Sequence, residues 1–236
     1  MNHPGYIVDG IDLHPLNDER FDFPVVTEPQ IFYVICHTPR CGSHYLAREL
    51  WRTGCLGAPL EYFSHQMALG EMILRLGGQS PQDYVDRLLR VRTSSNAVFG
   101  FKTTSPEFLG HHDLVCPIKF IRMDREDRES QAISLATATQ THQWTSAHAA
   151  RGEPRYTDLD LAIAHNKLMW ARGSWERFFT HEAIEPYQVL YEDFCQRPDV
   201  IVGEIANYLG VDMHPRKQIN HLPPIERQRT LDKMAA

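Results

Sequence analysis

Apolar and polar positions alternate along the chain in blocks that predict strands followed by helices. Four short runs are apolar and rich in β-branched and aromatic side chains, which is typical of strands covered on both faces: residues 31–35, 97–101, 117–121 and 188–191. Strands that alternate with helices favour an α/β fold, a three-layer domain with a parallel central sheet flanked by helices. In such a sheet, ligands bind near the carboxyl ends of the strands.

Several of the predicted helices have clear ends. Ser80 and Pro81 are a typical start for one helix, and Pro198 and Gly210 bound another. The clearest amphipathic pattern covers residues 161–178, where apolar residues step by three and four. We expect this helix to pack against the core.

The turn after the first predicted strand, residues 38–44, is the strongest functional signal. A turn of small residues between a buried strand and a helix directs backbone N–H groups and the positive end of the helix dipole at one point, which favours a phosphate or sulfate. The turn is not a Walker loop, because Gly42 is followed by Ser43 and His44 and not by lysine. Arg40 places a cation inside the turn instead. The alternative for this stretch alone is an ordinary turn with a surface arginine.

Length and composition narrow the classes of function. A chain of 236 residues with 42% hydrophobic content can bury a full core, so we expect an irregular N-terminal arm over residues 1–30 and one α/β domain over residues 31–236. The formal net charge of −6 argues against a general nucleic-acid or membrane-surface binder. The sequence shows no basic-then-apolar leader and no apolar run of about 18 residues, so we expect neither secretion nor a membrane span.

The cysteines and histidines do not predict a metal site. The five cysteines are scattered and have no CxxC spacing, so they indicate neither a disulfide framework nor zinc, and they fit a reducing cytoplasm. His111, His112 and Asp113 are the closest histidine group, but further ligands at a recognisable spacing are missing. Cys41 lies at a predicted helix N-terminus, where a thiol can have a lowered pKa. The alternative is that Cys41 is simply a small residue in the turn.

Six segments in a fixed order resemble the bacterial trehalose sulfotransferase family, within the wider PAPS-dependent sulfotransferases: TPRCGSHYL, GAPLEYF, FGFK, REDRESQAIS, QTHQW and VLYEDF. The resemblance extends over residues 31–230. It implies a P-loop-like domain that binds 3′-phosphoadenosine-5′-phosphosulfate (PAPS) and passes its sulfuryl group in line to a hydroxyl, usually of a carbohydrate, leaving PAP. It also implies that no metal takes part and that the protein is a homodimer.

The resemblance gives roles to individual residues near the first two strands. It assigns the 5′-phosphosulfate loop to Arg40, Cys41, Gly42, Ser43 and His44. Lys102, which follows the second predicted strand, would stabilise the departing phosphate at the bridging oxygen, and Glu61 would be the general base for the acceptor hydroxyl. Sulfuryl transfer needs such a cradle, a cation and a base. For Lys102 and Glu61 the alternative is an exposed, solvated side chain.

The 3′-phosphate site is implied by residues further along the chain. Arg122 and Ser130 match the strand-end arginine and helix-start serine of sulfotransferases, and Arg125 replaces Arg122 if the register differs. Arg227 and Arg229 match a basic stretch that would close over the 3′-phosphate. The alternatives are a solvated helix start and a solvated tail.

Three residues depart from the family's usual pattern. Cys41 stands in place of serine, His44 in place of threonine, and His142 in place of glycine in the QTGxW motif. The sequence therefore leaves the acceptor open beyond a sugar or another alcohol. A catalytically inactive nucleotide-binding module stays an alternative. A nucleotide-dependent phosphotransferase is a weaker one, because a Walker lysine and a Mg²⁺-binding pattern are missing.

Overall fold

The structure is a computed structural model that describes residues 6–8, 11–13, 15–63, 68–106, 118–144 and 150–213. The predicted cations Arg227 and Arg229 lie outside the described residues, as does the histidine group at 111–113.

The centre of the fold is a four-stranded parallel sheet. A short antiparallel hairpin, β1 (Tyr6–Val8) and β2 (Ile11–Leu13), precedes it and was not predicted. The sheet contains β3 (Ile31–His37), β4 (Val98–Thr103), β5 (Ile118–Asp124) and β6 (Tyr187–Leu190) in the spatial order β4-β3-β5-β6. All its pairings are parallel, which confirms the predicted sheet. Tyr191, predicted to end the last strand, is instead the first residue of a helix.

Seven α-helices lie within the described residues: α1 (Ser43–Arg52), α2 (Ala68–Leu76), α3 (Pro81–Arg92), α4 (Arg128–Thr141), α5 (Asp158–His181), α6 (Tyr191–Gln196) and α7 (Pro198–Leu209). Their ends follow the sequence signals. The Ser80 hydroxyl accepts a hydrogen bond from the N–H of Asp83 at the start of α3, and Gly210 ends α7 in the left-handed conformation. Thr157 and Asp160 form a reciprocal capping box at the start of α5.

Hydrophobic clusters lie on both faces of the sheet, because successive side chains of a strand point to opposite sides. From β3, Phe32 and Val34 belong to a cluster that includes Trp175 of α5, whereas Tyr33 and Ile35 belong to one that includes residues of α1 and α7. The sheet is therefore covered by helices on both sides, and the predicted α/β class is confirmed. Leu16 and Phe21, which precede the sheet, are buried in the first cluster.

Candidate active site

The turn between β3 and α1 lies at the carboxyl end of a central strand, as predicted. Arg40 and Gly42 both adopt the left-handed region, with φ of 62° and 91°. Gly42 is the N-cap of α1, so the N–H groups of the first helical turn point into the space before it. A Cβ added at Gly42 would lie 2.3 Å from Cδ2 of Tyr191. The turn therefore requires glycine here, and it has the backbone form of an anion site.

Cys41 is fully buried within the turn. Burial raises the pKa of its thiol to about 11, although the N–H of Ser43 acts in the opposite direction. Burial thus outweighs the helix N-terminus, and the lowered pKa considered from the sequence is wrong. The alternative, a small neutral residue that fills the turn, agrees with the structure.

The Arg40 side chain connects the turn to α4 and the segment after it. Its Nε donates a hydrogen bond to Ser134 Oγ at 2.9 Å, and its Nη1 donates to the carbonyl of Trp144. Burial, together with the neighbouring charge of Arg125, lowers the pKa of Arg40 to about 10, so the guanidinium stays charged at neutral pH. Ser134 was not among the predicted site residues. Only its place in the REDRESQAIS segment could have indicated it.

Gln131 of α4 holds the first part of the turn. Its Nε2 donates to Thr38 Oγ1 at 2.8 Å and to the Pro39 carbonyl at 2.7 Å. Its Oε1 accepts from Arg172 of α5 at 3.0 Å. Gln131 is fully buried, so these contacts fix the turn against two helices. Sequence reasoning missed this residue, because a glutamine on a helix gives no signal of its partners.

The backbone after α1 brings Glu61 beside Lys102. The Lys102 N–H donates to the Leu60 carbonyl at 3.0 Å, so the segment lies along the edge of β4. Gly57 allows this close approach, because it has φ of 70° and an added Cβ would meet the backbone of β4 at 3.0 Å. Glu61, predicted as the base, and Lys102, predicted as the leaving-group cation, are therefore neighbours.

Glu61, Lys102 and His37 form a polar cluster. Glu61 Oε1 accepts a hydrogen bond from Lys102 Nζ and lies 3.2 Å from His37 Nε2. Burial acts to raise the pKa of the Glu61 carboxyl, but Lys102 and His37 outweigh it and hold that pKa well below its usual range. Only 7% of the Lys102 side chain and 32% of the Glu61 side chain are exposed. The fully solvated alternative is therefore excluded for both side chains.

His37, the last residue of β3, was not predicted as a site residue. Its Nδ1 lies 3.1 Å from Ser43 Oγ and 3.1 Å from the Thr38 carbonyl, and its own carbonyl accepts from Trp175 Nε1 at 3.1 Å. Burial, followed by the charge of Lys102, lowers the pKa of His37, so the ring is neutral at neutral pH. The only sequence signal was a histidine directly before the turn.

The three residues predicted to bind the 3′-phosphate are in different surroundings. Arg122 lies inside β5, and its Nη2 is 2.6 Å from Glu176 of α5. Arg125 lies just after β5, with its guanidinium carbon 4.9 Å from the centre of the Tyr191 ring that covers Gly42. Ser130 is buried in the first turn of α4. Arg125 therefore adjoins the anion turn, whereas Arg122 pairs with α5.

The two histidine departures lie at helix ends. His44 is half-buried in the first turn of α1. His142 is the C-cap of α4 with φ of 55°, a conformation that glycine adopts without strain. The left-handed backbone at position 142 therefore explains why glycine would suit this position.

Asp124, at the end of β5, accepts hydrogen bonds from positively charged neighbours. Its Oδ1 accepts from Arg128 at 2.7 Å, from Arg172 at 3.3 Å and from the N–H of Arg125 at 2.9 Å. Burial acts to raise the pKa of Asp124, but these hydrogen bonds and charges outweigh it and lower that pKa. Asp124 thus connects β5, α4 and α5 beside the candidate site.

The part of the chain that the structure describes has neither a metal-binding cluster nor a membrane-spanning helix. No group of three or more His, Cys, Asp and Glu side chains there is arranged to hold a metal ion. Within the same part, no helix is long and apolar enough to cross a bilayer.

The fold and the strand-turn-helix site are those of a P-loop-like α/β domain. The sulfotransferase domain from the curacin biosynthetic pathway superposes with a TM-score of 0.51 at 15% sequence identity, over 80% of this chain and 77% of that one. At this identity the likeness concerns the fold.

Sequence comparison identifies the family. The Stf0 sulphotransferase family matches residues 32–104 and 103–233. Trehalose 2-sulfotransferase from Mycobacterium tuberculosis is 26% identical, over 83% of this chain and 89% of that protein. Trehalose 2-sulfotransferase from Mycolicibacterium smegmatis is 33% identical, over 46% of this chain and 40% of that protein. The chain belongs to the Stf0 sulphotransferase family and is a sulfotransferase, which confirms the resemblance seen in the sequence.

Proposed function

We propose that the protein transfers a sulfuryl group from PAPS to a hydroxyl of a carbohydrate, directly and in line, with Glu61 as the general base. The observation that carries this proposal is the contact between Lys102 and Glu61 beside the anion turn. A single hydrogen bond connects Lys102, a cation suited to the leaving group, with Glu61, a carboxylate suited to the acceptor hydroxyl.

The anion turn fits a phosphosulfate. The residues that would hold it are Arg40, Cys41, Gly42, Ser43 and His44. The start of α1 supplies backbone N–H donors, and Gly42 allows the left-handed turn to pack against the Tyr191 ring. When bound, PAPS supplies the sulfuryl group and a phosphate leaving group. Cys41 contributes its small size and not a thiolate, because its thiol is neutral.

Lys102 and Glu61 neutralise each other in this structure, and catalysis requires that they separate. A carboxylate whose pKa is held low is a weak base. If Lys102 turns toward the leaving oxygen, it stabilises the negative charge that develops there, and Glu61 becomes a stronger base for the acceptor hydroxyl. One movement of the lysine thus serves both ends of the transfer.

The 3′-phosphate is assigned to Ser130 and an arginine. Arg125 is favoured over Arg122, because Arg125 packs on Tyr191 next to the turn and its nearest carboxylates are 3.9 Å away, whereas Arg122 is paired with Glu176 at 2.6 Å. Arg227 stays a predicted additional contact from outside the described residues.

The acceptor is proposed to be a sugar. The support is that two relatives are trehalose 2-sulfotransferases. Trehalose is therefore the first acceptor to try, followed by other disaccharides and simple alcohols. A cytoplasmic location, a homodimer, and the division into an N-terminal arm and one domain stay predictions.

Nucleotide preference separates this function from its alternatives. We expect PAP to raise the melting temperature, by about 5 to 10 °C at a hundredfold excess over its Kd, and ATP with Mg²⁺ to have little effect. The reverse preference would favour a phosphotransferase and contradict the proposal. Gly42→Ala keeps every charge, but its clash with Tyr191 displaces the turn, so PAP should not raise its melting temperature above that of the same variant without nucleotide. An inactive nucleotide-binding module would also bind PAP, and it is distinguished by the transfer assay that closes the Discussion.

A further inference from the structure

His37 lies between the anion turn and the base. Its Nδ1 faces Ser43, the first residue of α1, and its Nε2 faces Glu61 at 3.2 Å. The side chain is 3% exposed, and among the described residues Nε2 has no partner with hydrogen-bond geometry. A buried ring nitrogen this close to a carboxylate, but not aligned with it, needs an explanation.

The surroundings of the ring determine where its proton lies. Neutral imidazole has one N–H, and the tautomer must be inferred from its neighbours. If Nδ1 carried the proton, it could donate to the Thr38 carbonyl at 3.1 Å, but the lone pair of Nε2 would then face the ionised Glu61 carboxylate. With the proton on Nε2, that repulsion is removed and Nδ1 accepts from the Ser43 hydroxyl. The Nδ1 lone pair then lies near the Thr38 carbonyl oxygen, but the full charge of a carboxylate repels a lone pair more strongly than the partial charge of a carbonyl does. The geometry and charges together therefore assign the Nε2–H tautomer.

The contacts of Glu61 explain why an N–H donor of His37 lies beside its carboxylate. Within the described residues, Lys102 and His37 both approach Oε1 of Glu61. When Lys102 turns to the leaving oxygen, the carboxylate loses its charged partner at the moment at which it must be oriented toward the acceptor. His37 is then the nearest donor, and a small rotation of the carboxylate would align it with Nε2–H.

We propose that His37 is the positioning residue of the base: it replaces Lys102 as the hydrogen-bond donor to Glu61 during transfer, and through Ser43 it links the base to the anion turn. The inference rests on the proposed role of Glu61. The groups that face the His37 ring are Glu61, Lys102 of β4, Ser43 of α1 and the Thr38 carbonyl. His37 touches no reacting atom, so its effect is exerted through Glu61.

Two amide substitutions divide the functions of the ring. His37→Asn places an amide at the position of Nδ1 and keeps the contacts with Ser43 and Thr38, but it cannot reach Glu61. His37→Gln reaches the position of Nε2 and can donate to Glu61. We expect His37→Asn to lower kcat about 10- to 100-fold with unchanged PAP affinity. His37→Gln should keep most of the kcat of the unsubstituted protein.

The pH profile provides a readout that a merely structural role would not change. A donor to the ionised carboxylate favours its charged form, so losing the donor raises the pKa of Glu61. The acid limb of the kcat profile should therefore move to higher pH in His37→Asn and stay in place in His37→Gln. Wild-type kcat and acid limb in His37→Asn would overturn the inference. So would equal impairment of both variants with normal PAP binding.

The tautomer can be tested without catalysis. The ¹⁵N shifts of the His37 ring, assigned by difference from His37→Gln, should show a neutral ring with its proton on Nε2 at pH 7. A proton on Nδ1 would contradict the inference whether or not the protein is active. Failure of the unsubstituted protein to transfer sulfate would instead overturn the proposed function, so the two failures are distinguishable.

Discussion

Replacing Gly42 with alanine tests whether the turn depends on close contact with Tyr191. The new Cβ would lie 2.3 Å from Cδ2 and 2.7 Å from Cε2 of the Tyr191 ring, in a backbone with φ of 91°. The left-handed conformation costs an ordinary residue about 1–2 kcal/mol, and overpacking costs about 1–3 kcal/mol. We expect a loss of about 2–5 kcal/mol, which lowers the melting temperature of a chain of this size by about 4–20 °C.

Gly152→Ala is the matched control. Gly152 has φ of 98°, but no atom lies within 4 Å of an added Cβ, so its substitution carries only the conformational cost. In a Tyr191→Ala background, the cost of Gly42→Ala should fall to about that of Gly152→Ala. Thermal unfolding of the four variants measures the difference. An equal cost of Gly42→Ala with and without the Tyr191 ring would refute the contact as the reason for glycine.

Two further predictions concern single side chains. Because the pKa of Cys41 is about 11, only about one thiol in a thousand is ionised at pH 8, so iodoacetamide should modify the half-buried Cys195 well before Cys41. Mass spectrometry of the labelled peptides checks this, and modification of Cys41 as fast in the folded as in the unfolded protein would contradict it. The lowered pKa of Asp124 stabilises the fold above its unfolded pKa, near 4, and this contribution is lost as pH falls through the folded pKa. Asp124→Asn should therefore lower the melting temperature at pH 7 by the equivalent of about 1–2 kcal/mol and by progressively less as the pH falls below about 4, and an effect that does not decrease in acid would argue against the arginine contacts.

The elements of this fold could be predicted because their signals are local. The apolar runs marked the four parallel strands, and the small residues after the first run marked the turn. Gly57 and Gly42 were visible as glycines, but the reason for each is a close approach by residues far along the chain, the backbone of β4 and the ring of Tyr191. Such approaches leave no pattern in the flanking sequence.

The polar contacts of the site were the least predictable part. Arg122 and Arg125 look equivalent in sequence, and their neighbours in the fold distinguish them: Glu176 of α5 for Arg122 and the Tyr191 ring for Arg125. His37 ended an apolar strand and gave no sign that Glu61 lies beside it. For Cys41 the sequence left a lowered pKa and a small-residue role open, because its burial, which outweighs the helix N-terminus next to it, depends on the whole core.

Sulfate transfer by Glu61→Gln tests the central claim most directly. Labelled sulfate from PAPS is followed into trehalose and a panel of disaccharides and alcohols, with the unsubstituted protein as reference. The account predicts transfer by the reference, and a loss of about 100- to 10,000-fold in Glu61→Gln with stabilisation by PAP retained. Transfer by Glu61→Gln at the reference rate would contradict the assignment of the base. Binding of PAP by the reference without transfer to any acceptor would indicate an inactive nucleotide-binding module instead.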